Sequence, residues 1–283
     1  MGKILAVRLI NVVVGGGIFM AMLPLAQAEH RPLREWGIGI TYVVAPIYRG
    51  AKPTRDYVIP IPFVRLRGEV LAADEDGMKG RIFKNNRLKL SISLGGSLPV
   101  SDDTDGARKG MPNLDLTFGV GPSLKYLLWK PRSNAQVIRL ELPLRAVFSV
   151  GDPILAYQGW TVSPLIGWIR KFHSPGAFWR LKIGAGPLFA DRNYNNYFYQ
   201  VESKFSTAQR PAYNTHSGYT GSRISFKLSL NTKHIYLGVF ARYDDLRNAV
   251  FIDSPLVETE DYAIFGIVAS WIFSNSTAKA KHW

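Results

Sequence analysis

Alternation of apolar and polar side chains is the dominant pattern along this chain. Between residues 87 and 94, Leu88, Leu90, Ile92 and Leu94 fall on one side, and Arg87, Lys89, Ser91 and Ser93 on the other. Residues 138–148 set Ile138, Leu140, Leu142, Leu144, Ala146 and Phe148 against Arg139, Glu141 and Arg145. In 223–230, Ile224, Phe226, Leu228 and Leu230 oppose Arg223, Ser225, Lys227 and Ser229, and stretches 114–126 and 179–185 repeat the pattern. Successive side chains of a strand point to opposite faces, so a sustained period of two predicts strands with one apolar and one polar face.

Such strands suit either a soluble sandwich or a transmembrane barrel, and length decides between them. Several runs exceed the usual soluble strand of about 5–6 residues and match the roughly 9–11 of a tilted membrane strand. Trp36, Tyr126, Trp129, Tyr157, Trp160, Trp168, Trp179, Tyr243 and Trp271 sit near strand ends, as an interfacial aromatic girdle would. Short turns at 84–86, 130–133, 173–176 and 231–233 alternate with longer loops at 47–55, 99–112, 151–156, 191–215 and 246–260. The prediction is an all-β, transmembrane, antiparallel up-and-down β-barrel, apolar face to lipid and polar face to the lumen. Reading 67–69 and 74–77 as hairpin turns gives about 12 strands; treating 57–83 as one irregular strand gives 10.

The first 28 residues fall outside that pattern. Lys3 and Arg8 precede an apolar run at 9–25, and Ala26-Gln27-Ala28 stands before Glu29. This is the layout of a secretory signal peptide, with cleavage expected between Ala28 and Glu29. The rival is an uncleaved anchor, but the run is short for a span of about 20 residues and contains Gly15, Gly16 and Gly17. The chain then divides into a signal peptide (1–28), a barrel (29–273) and a C-terminal tail (274–283). Cysteine is absent, which excludes a lipid-modified N-terminus, disulfides and thiolate metal sites.

Charge narrows the partners. The net charge is +14, and loss of Lys3 and Arg8 with the leader reduces it to +12. An exported basic chain has little access to nucleic acid, so outer-membrane lipid and lipopolysaccharide are the expected acidic partners. The strand phases also send bases inward: Arg87, Lys89, Lys125, Arg139, Arg145, Arg180, Lys182, Arg223 and Lys227, opposed mainly by Asp115 and Glu141. Two outcomes follow: a closed interior neutralised by acidic groups, or a narrow anion-preferring channel.

Catalytic chemistry finds no foothold. Small outer-membrane barrels that hydrolyse lipid use a membrane-facing His-x-Ser pair. Here His173, His216 and His234 are followed two residues later by Pro175, Gly218 and Tyr236. Ser174 and Ser217 adjoin histidines, yet neighbours on a strand face opposite ways. Asp102, Asp103 and Asp105 lack the remainder of a calcium loop and predict no metal site. Gly119/Gly121 and Gly184/Gly186 precede no phosphate-binding helix and are read as bends or close packing in strands. No cofactor is expected, and no enzyme.

Beyond these patterns, a set of short motifs recurs in order along the chain. They are Trp36-Gly37-Ile38-Gly39, Pro46-Ile47-Tyr48-Arg49-Gly50, Pro60-Ile61-Pro62, the segment 194–201 (YNNYFYQV), Ala241-Arg242-Tyr243-Asp244-Asp245-Leu246, and Asp253-Ser254-Pro255-Leu256-Val257. The set resembles the MipA/OmpV family of outer-membrane proteins, over 36–273. The resemblance implies an outer-membrane barrel that acts as a scaffold for peptidoglycan-remodelling enzymes, with periplasmic murein hydrolases or synthases as partners and no catalytic residues to carry over. The last alternating run places Ala263, Phe265, Ile267, Ala269, Trp271 and Phe273 on one face. It resembles a barrel-assembly signal ending at Phe273, although ten residues follow. A docking scaffold and a small anion-preferring channel are the two functions carried forward.

Overall fold

The computed structural model describes residues 34–67, 71–74, 77–80, 83–84, 87–100, 106–133 and 135–275, with side chains described for 34–65, 87–100, 106–133 and 135–273. The expected cleavage site at Ala28 and Glu29, the acidic triplet Asp102, Asp103 and Asp105, and the end of the tail lie outside these residues. The alternating runs form β1 (Arg34–Pro46), β2 (Thr54–Arg67), β6 (Leu88–Ser97), β7 (Leu116–Trp129), β8 (Gln136–Val150), β11 (Ala177–Ala190), β12 (Gly218–Asn231), β13 (Ile235–Asp245) and β14 (Asp261–Asn275). Three short segments, β3 (Leu71–Asp74), β4 (Gly77–Gly80) and β5 (Phe83–Lys84), fill the interval where two hairpin turns were expected. Two further segments, β9 (Ala156–Val162) and β10 (Leu165–Ser174), both pair with β8 and β11.

All the pairings are antiparallel, and β1 lies between β2 and β14, so the first and last long strands meet. The ladder runs from β4 through β3, β2, β1, β14, β13, β12, β11, β10, β8, β7 and β6 to β5. Its two ends, β4 and β5, are separated by two residues in sequence, and no ladder joins β4 to β6 among the described residues. Counting β9 with β10, and β4 with β5, the described segments trace twelve staves of an up-and-down barrel. This is the higher of the two expected counts. The thinnest wall is beside β2, which pairs with β3 only at Leu66↔Ala73 and Arg67↔Ala72. Elsewhere β2 carries Pro60 and Pro62, which lack the N–H that a second ladder requires.

The faces follow the sequence phases. Ile38, Ile40, Ile92, Leu94, Leu142, Leu144, Ile224, Phe226, Phe265 and Ile267 are exposed on the outside, while Ser91, Ser123, Glu141, Ser149 and Ser229 are buried. A wall with apolar residues outward and hydroxyls inward is stable only against lipid. Aromatics edge the exposed band at both rims: Tyr42, Tyr157, Trp160 and Tyr243 towards the long loops, and Trp36, Tyr126, Trp129 and Trp271 towards the short turns. Ten strand steps of β14 separate Ala263 from Phe273, roughly 25 Å once strand rise and tilt are combined.

Two expectations need correction. Alternation was expected from Leu114, but β7 begins at Leu116; Leu114 is buried and bridges to Val100 inside the loop assembly. At the other extremity, β14 continues past Phe273 to Asn275.

Candidate functional site

Four of the five long loops fold together over one end of the barrel and form an apolar core from Ile47, Tyr48, Val100, Leu114, Phe198, Tyr199, Leu246 and Phe251. The contributors come from the loops after β1, β6, β11 and β13. At the centre Tyr199 stacks on Phe251 with ring centroids 3.7 Å apart, and Phe251 is fully buried. The loop after β11 supplies a helix, α1 (Arg192–Tyr199), whose N-cap Asp191 accepts a hydrogen bond from the Tyr194 amide at 2.9 Å. Gly159 of β9 lies directly against this start: with φ +122, a Cβ there would come within 2.1 Å of Asp191 Oδ1. Only glycine allows the helix to seat so closely on the wall.

Polar staples join the loops across the apolar core. Tyr48 donates its hydroxyl to Leu256 O at 2.8 Å, Tyr199 to Arg49 O at 3.0 Å, and Ser254 to Tyr199 O at 2.8 Å. Burial pushes both tyrosine hydroxyls above their ordinary range, which keeps them protonated and able to donate. Arg108 donates to the carbonyls of Phe198 and Pro112, each at 3.0 Å. Arg210 binds the carbonyls of Ala107 and Lys109, each at 2.9 Å. These guanidiniums satisfy carbonyls that a buried loop would otherwise leave unpaired.

Under the cap lies a charged cluster centred on Asp244 of β13, whose side chain has no exposed surface. Arg223 of β12 grips it with Nε to Oδ1 at 2.6 Å and Nη2 to Oδ2 at 3.2 Å. Arg242 reaches Oδ2 at 3.1 Å, Arg49 stands 4.0 Å away, and the Tyr262 hydroxyl donates to the same oxygen. Arg49 also binds Thr220 O at 2.7 Å and so ties the first loop to β12. Arg145, on the inner face of β8 and within electrostatic reach of Arg223, donates to Ser93 Oγ from Nε at 2.9 Å and from Nη2 at 2.7 Å. A Cβ at Gly119 would make only ordinary contact with the Arg145 side chain, at 3.4 Å. Of the paired glycines, Gly121 and Gly186 are the ones at which a Cβ would strike backbone, at Leu144 O and Pro164 O.

Further down, Glu141 is buried with Arg139 Nε at 2.5 Å and Lys182 Nζ at 3.6 Å. Lys182 is directly opposite Lys227 in the β11–β12 register, Arg180 opposite Ser229, and Lys89 opposite Lys125 in β6–β7. At the turn end, Arg65 binds Glu35 at 2.8 Å and Asn231, while its guanidinium lies 5.0 Å above Phe63 and 5.7 Å from the Tyr236 ring. Phe63, Tyr236, Val268 and Ile272 form an apolar cluster there, on the inner face.

Of the bases expected in the lumen, Arg139, Arg145, Lys182 and Arg223 therefore make lumen contacts. Lys89, Lys125, Arg180 and Lys227 are half-buried on the same faces. Arg87 differs: it precedes β6 at the turn-end rim and is exposed. Asp115, an expected counter-charge, sits instead at the loop end, where its amide donates to the Tyr197 hydroxyl oxygen at 2.9 Å. Phe273 is exposed at the end of the outer apolar face of β14. The sequence phases missed Arg49, Arg65, Arg242 and Asp244. Extending a period of two through β13 places Tyr236, Gly238, Phe240, Arg242 and Asp244 on one face, a signal that would have found the centre of the cluster. Among the described histidines, His173 packs on Phe178 with centroids 5.0 Å apart, and His234 stacks on Trp271 at 6.2 Å.

Comparison with known proteins places these features in a family. The family model described as "MltA-interacting protein MipA" matches residues 38–273. No curated protein matches the chain. Solved structures similar to it include the NanC porin, with 7% identity over 83% of this chain and 98% of that one, at a TM-score of 0.36. A COG4313 outer membrane channel from Pseudomonas putida F1 has 12% identity over 88% of this chain and 100% of that one, at 0.38. A Pseudomonas aeruginosa FadL homologue has 10% identity over 86% and 91%, at 0.32. With a family match over nearly all the alternating strands, the chain belongs to the MipA family and is an outer-membrane β-barrel protein.

Proposed function

We propose that this barrel is a non-enzymatic docking protein for murein-remodelling enzymes, closed to solute flow. The observation that carries this reading is the apolar cap: a pore needs a wetted mouth, whereas here the loop end is filled by Tyr199, Phe251 and their neighbours. The lumen below is occupied by the Asp244, Glu141 and Arg65 clusters, which supports closure along its length. The family description, with its reference to interaction with MltA, supports a murein hydrolase as the partner. Partner contact falls to the short-turn side, where Lys130, Arg132 and Lys233 stand in or beside the turns. On the opposite side, exposed Lys52, Lys109, Lys204 and Arg247 are placed to meet lipopolysaccharide phosphates.

Pull-down from solubilised envelopes and planar-bilayer recording test this together. The unaltered protein is expected to retain a murein hydrolase and to show no steady conductance. Reversing Lys130 and Arg132 to Glu should weaken retention, while changing Arg139, Arg145 and Lys227 to Gln should leave it intact. An open anion-selective conductance with no retained enzyme would replace the docking reading by the channel one.

A further inference from the structure

Beneath the cap, guanidiniums outnumber the carboxylates that face them. Arg49, Arg223 and Arg242 gather on Asp244, while Arg145 stands between Arg223 and the next carboxylate of the lumen, Glu141. Glu141 is engaged by Arg139 and Lys182. Near neutral pH the six bases, Arg49, Arg139, Arg145, Lys182, Arg223 and Arg242, face the two carboxylates Asp244 and Glu141, an excess of four positive charges. In a site shielded from bulk water such an excess is costly unless an anion joins it.

The hydrogen-bond inventory points the same way. Asp244 accepts from Arg223, Arg242 and Tyr262, so its two oxygens are already occupied. Arg145 meets no carboxylate oxygen directly and binds only Ser93 Oγ among the described residues. Arg242 reaches its partners through Nη2 alone, and its buried Nε has no partner among the described residues. Yet the Arg223 and Arg242 side chains keep 26% and 30% of their surface, so they border space rather than close packing. Forked donors around a small space match the geometry of an oxyanion.

We propose that the lumen beneath the loop cap holds one small oxyanion, a free phosphate or carboxylate solute, seated on Arg145, Arg223 and Arg242. This site stands apart from the docking role: one concerns the turn-end surface, the other the interior under the loops.

The test refolds the barrel, residues 29–283, into detergent micelles containing chloride, inorganic phosphate or acetate at equal ionic strength. The readout is the midpoint of loss of the heat-modifiable folded form. A ligand bound only by the folded state raises this midpoint in a saturable way. Phosphate or acetate is expected to do so relative to chloride, and whichever acts at lower concentration names the preferred group. Arg145→Gln strips no partner from a carboxylate and should raise the half-saturating concentration roughly tenfold or more, the equivalent of one charge-assisted contact. Arg242→Gln should act alike, and Lys204→Gln on the loop surface should change nothing. If Arg242→Gln does not fold, Arg145→Gln decides alone. No saturable rise in the unaltered barrel, or the same half-saturation in Arg145→Gln, overturns the site.

Discussion

The wall and the cap of this molecule are built on opposite rules. Along the wall, Phe265, Ile267 and Trp271 are exposed while Ser229 and Ser270 are buried. In the cap, Phe251, Leu246 and Leu256 are fully buried while Lys52, Lys204 and Arg247 face outward. The chain is the same, so the solvent differs: lipid surrounds the strands and water surrounds the loops. Backbone accounting differs in step. Away from the gap beside β2, strand amides satisfy one another through ladders, whereas the cap relies on Arg108, Arg210, Tyr48 and Tyr199 to reach loop carbonyls. A barrel wall is therefore regular and readable; its cap is a small soluble-protein core assembled from distant segments.

Removing the centre of that core should give the largest effect. Phe251→Ala deletes a fully buried ring stacked on Tyr199 and should cost the cap about 3–5 kcal/mol. Hydrogen exchange and limited proteolysis should show the loss in 191–217 and 246–260. The strands should remain protected if the two regions are distinct, and collapse of wall protection at the same step would merge them.

A charge placed on the lipid face tests the wall's rule. Leu142→Arg puts a guanidinium on the outer face of β8 and should cost about 2–4 kcal/mol near the bilayer midplane. Ser225→Arg, on the inner face of β12 beside Gly184 O, should cost much less. Equilibrium unfolding in lipid vesicles compares them, and equal losses would mean that the outer band does not face lipid.

The same contrast explains what the sequence disclosed. The strand phases were legible because lipid on one side imposes a period of two along the long strands, whereas the stave count stayed between 10 and 12 and Arg87, expected inward, stands exposed at the rim. Arg49 was not legible as a lumen residue, since it comes from a loop, and no periodicity relates it to Asp244 some two hundred positions later. Leu114 was misread as strand for a related reason: an apolar residue beside an alternating run continues its pattern in sequence, although it serves the cap in space. Arg65 and Glu35 are direct cross-strand partners on β2 and β1, so their ion pair needs the register between the two strands as well as the face of each.

The smallest predicted effect probes how local the cap is. Asp191 ends β11's exit and caps α1 by accepting from the Tyr194 amide. Asp191→Ala should cost roughly 1 kcal/mol, the usual value of an N-cap side chain. That loss is too small to open the barrel, but α1 carries Phe198 and Tyr199 into the core, and Tyr199 ties back to Arg49. Exchange should therefore quicken in α1 first and then at its partners around Phe251, while heat-modifiability stays unchanged. Quickening confined to α1 would show that the cap is held loop by loop. Spread to the loop of Arg49 would show instead that it unfolds as one cooperative unit, with its stability shared across the staples rather than stored in any single segment.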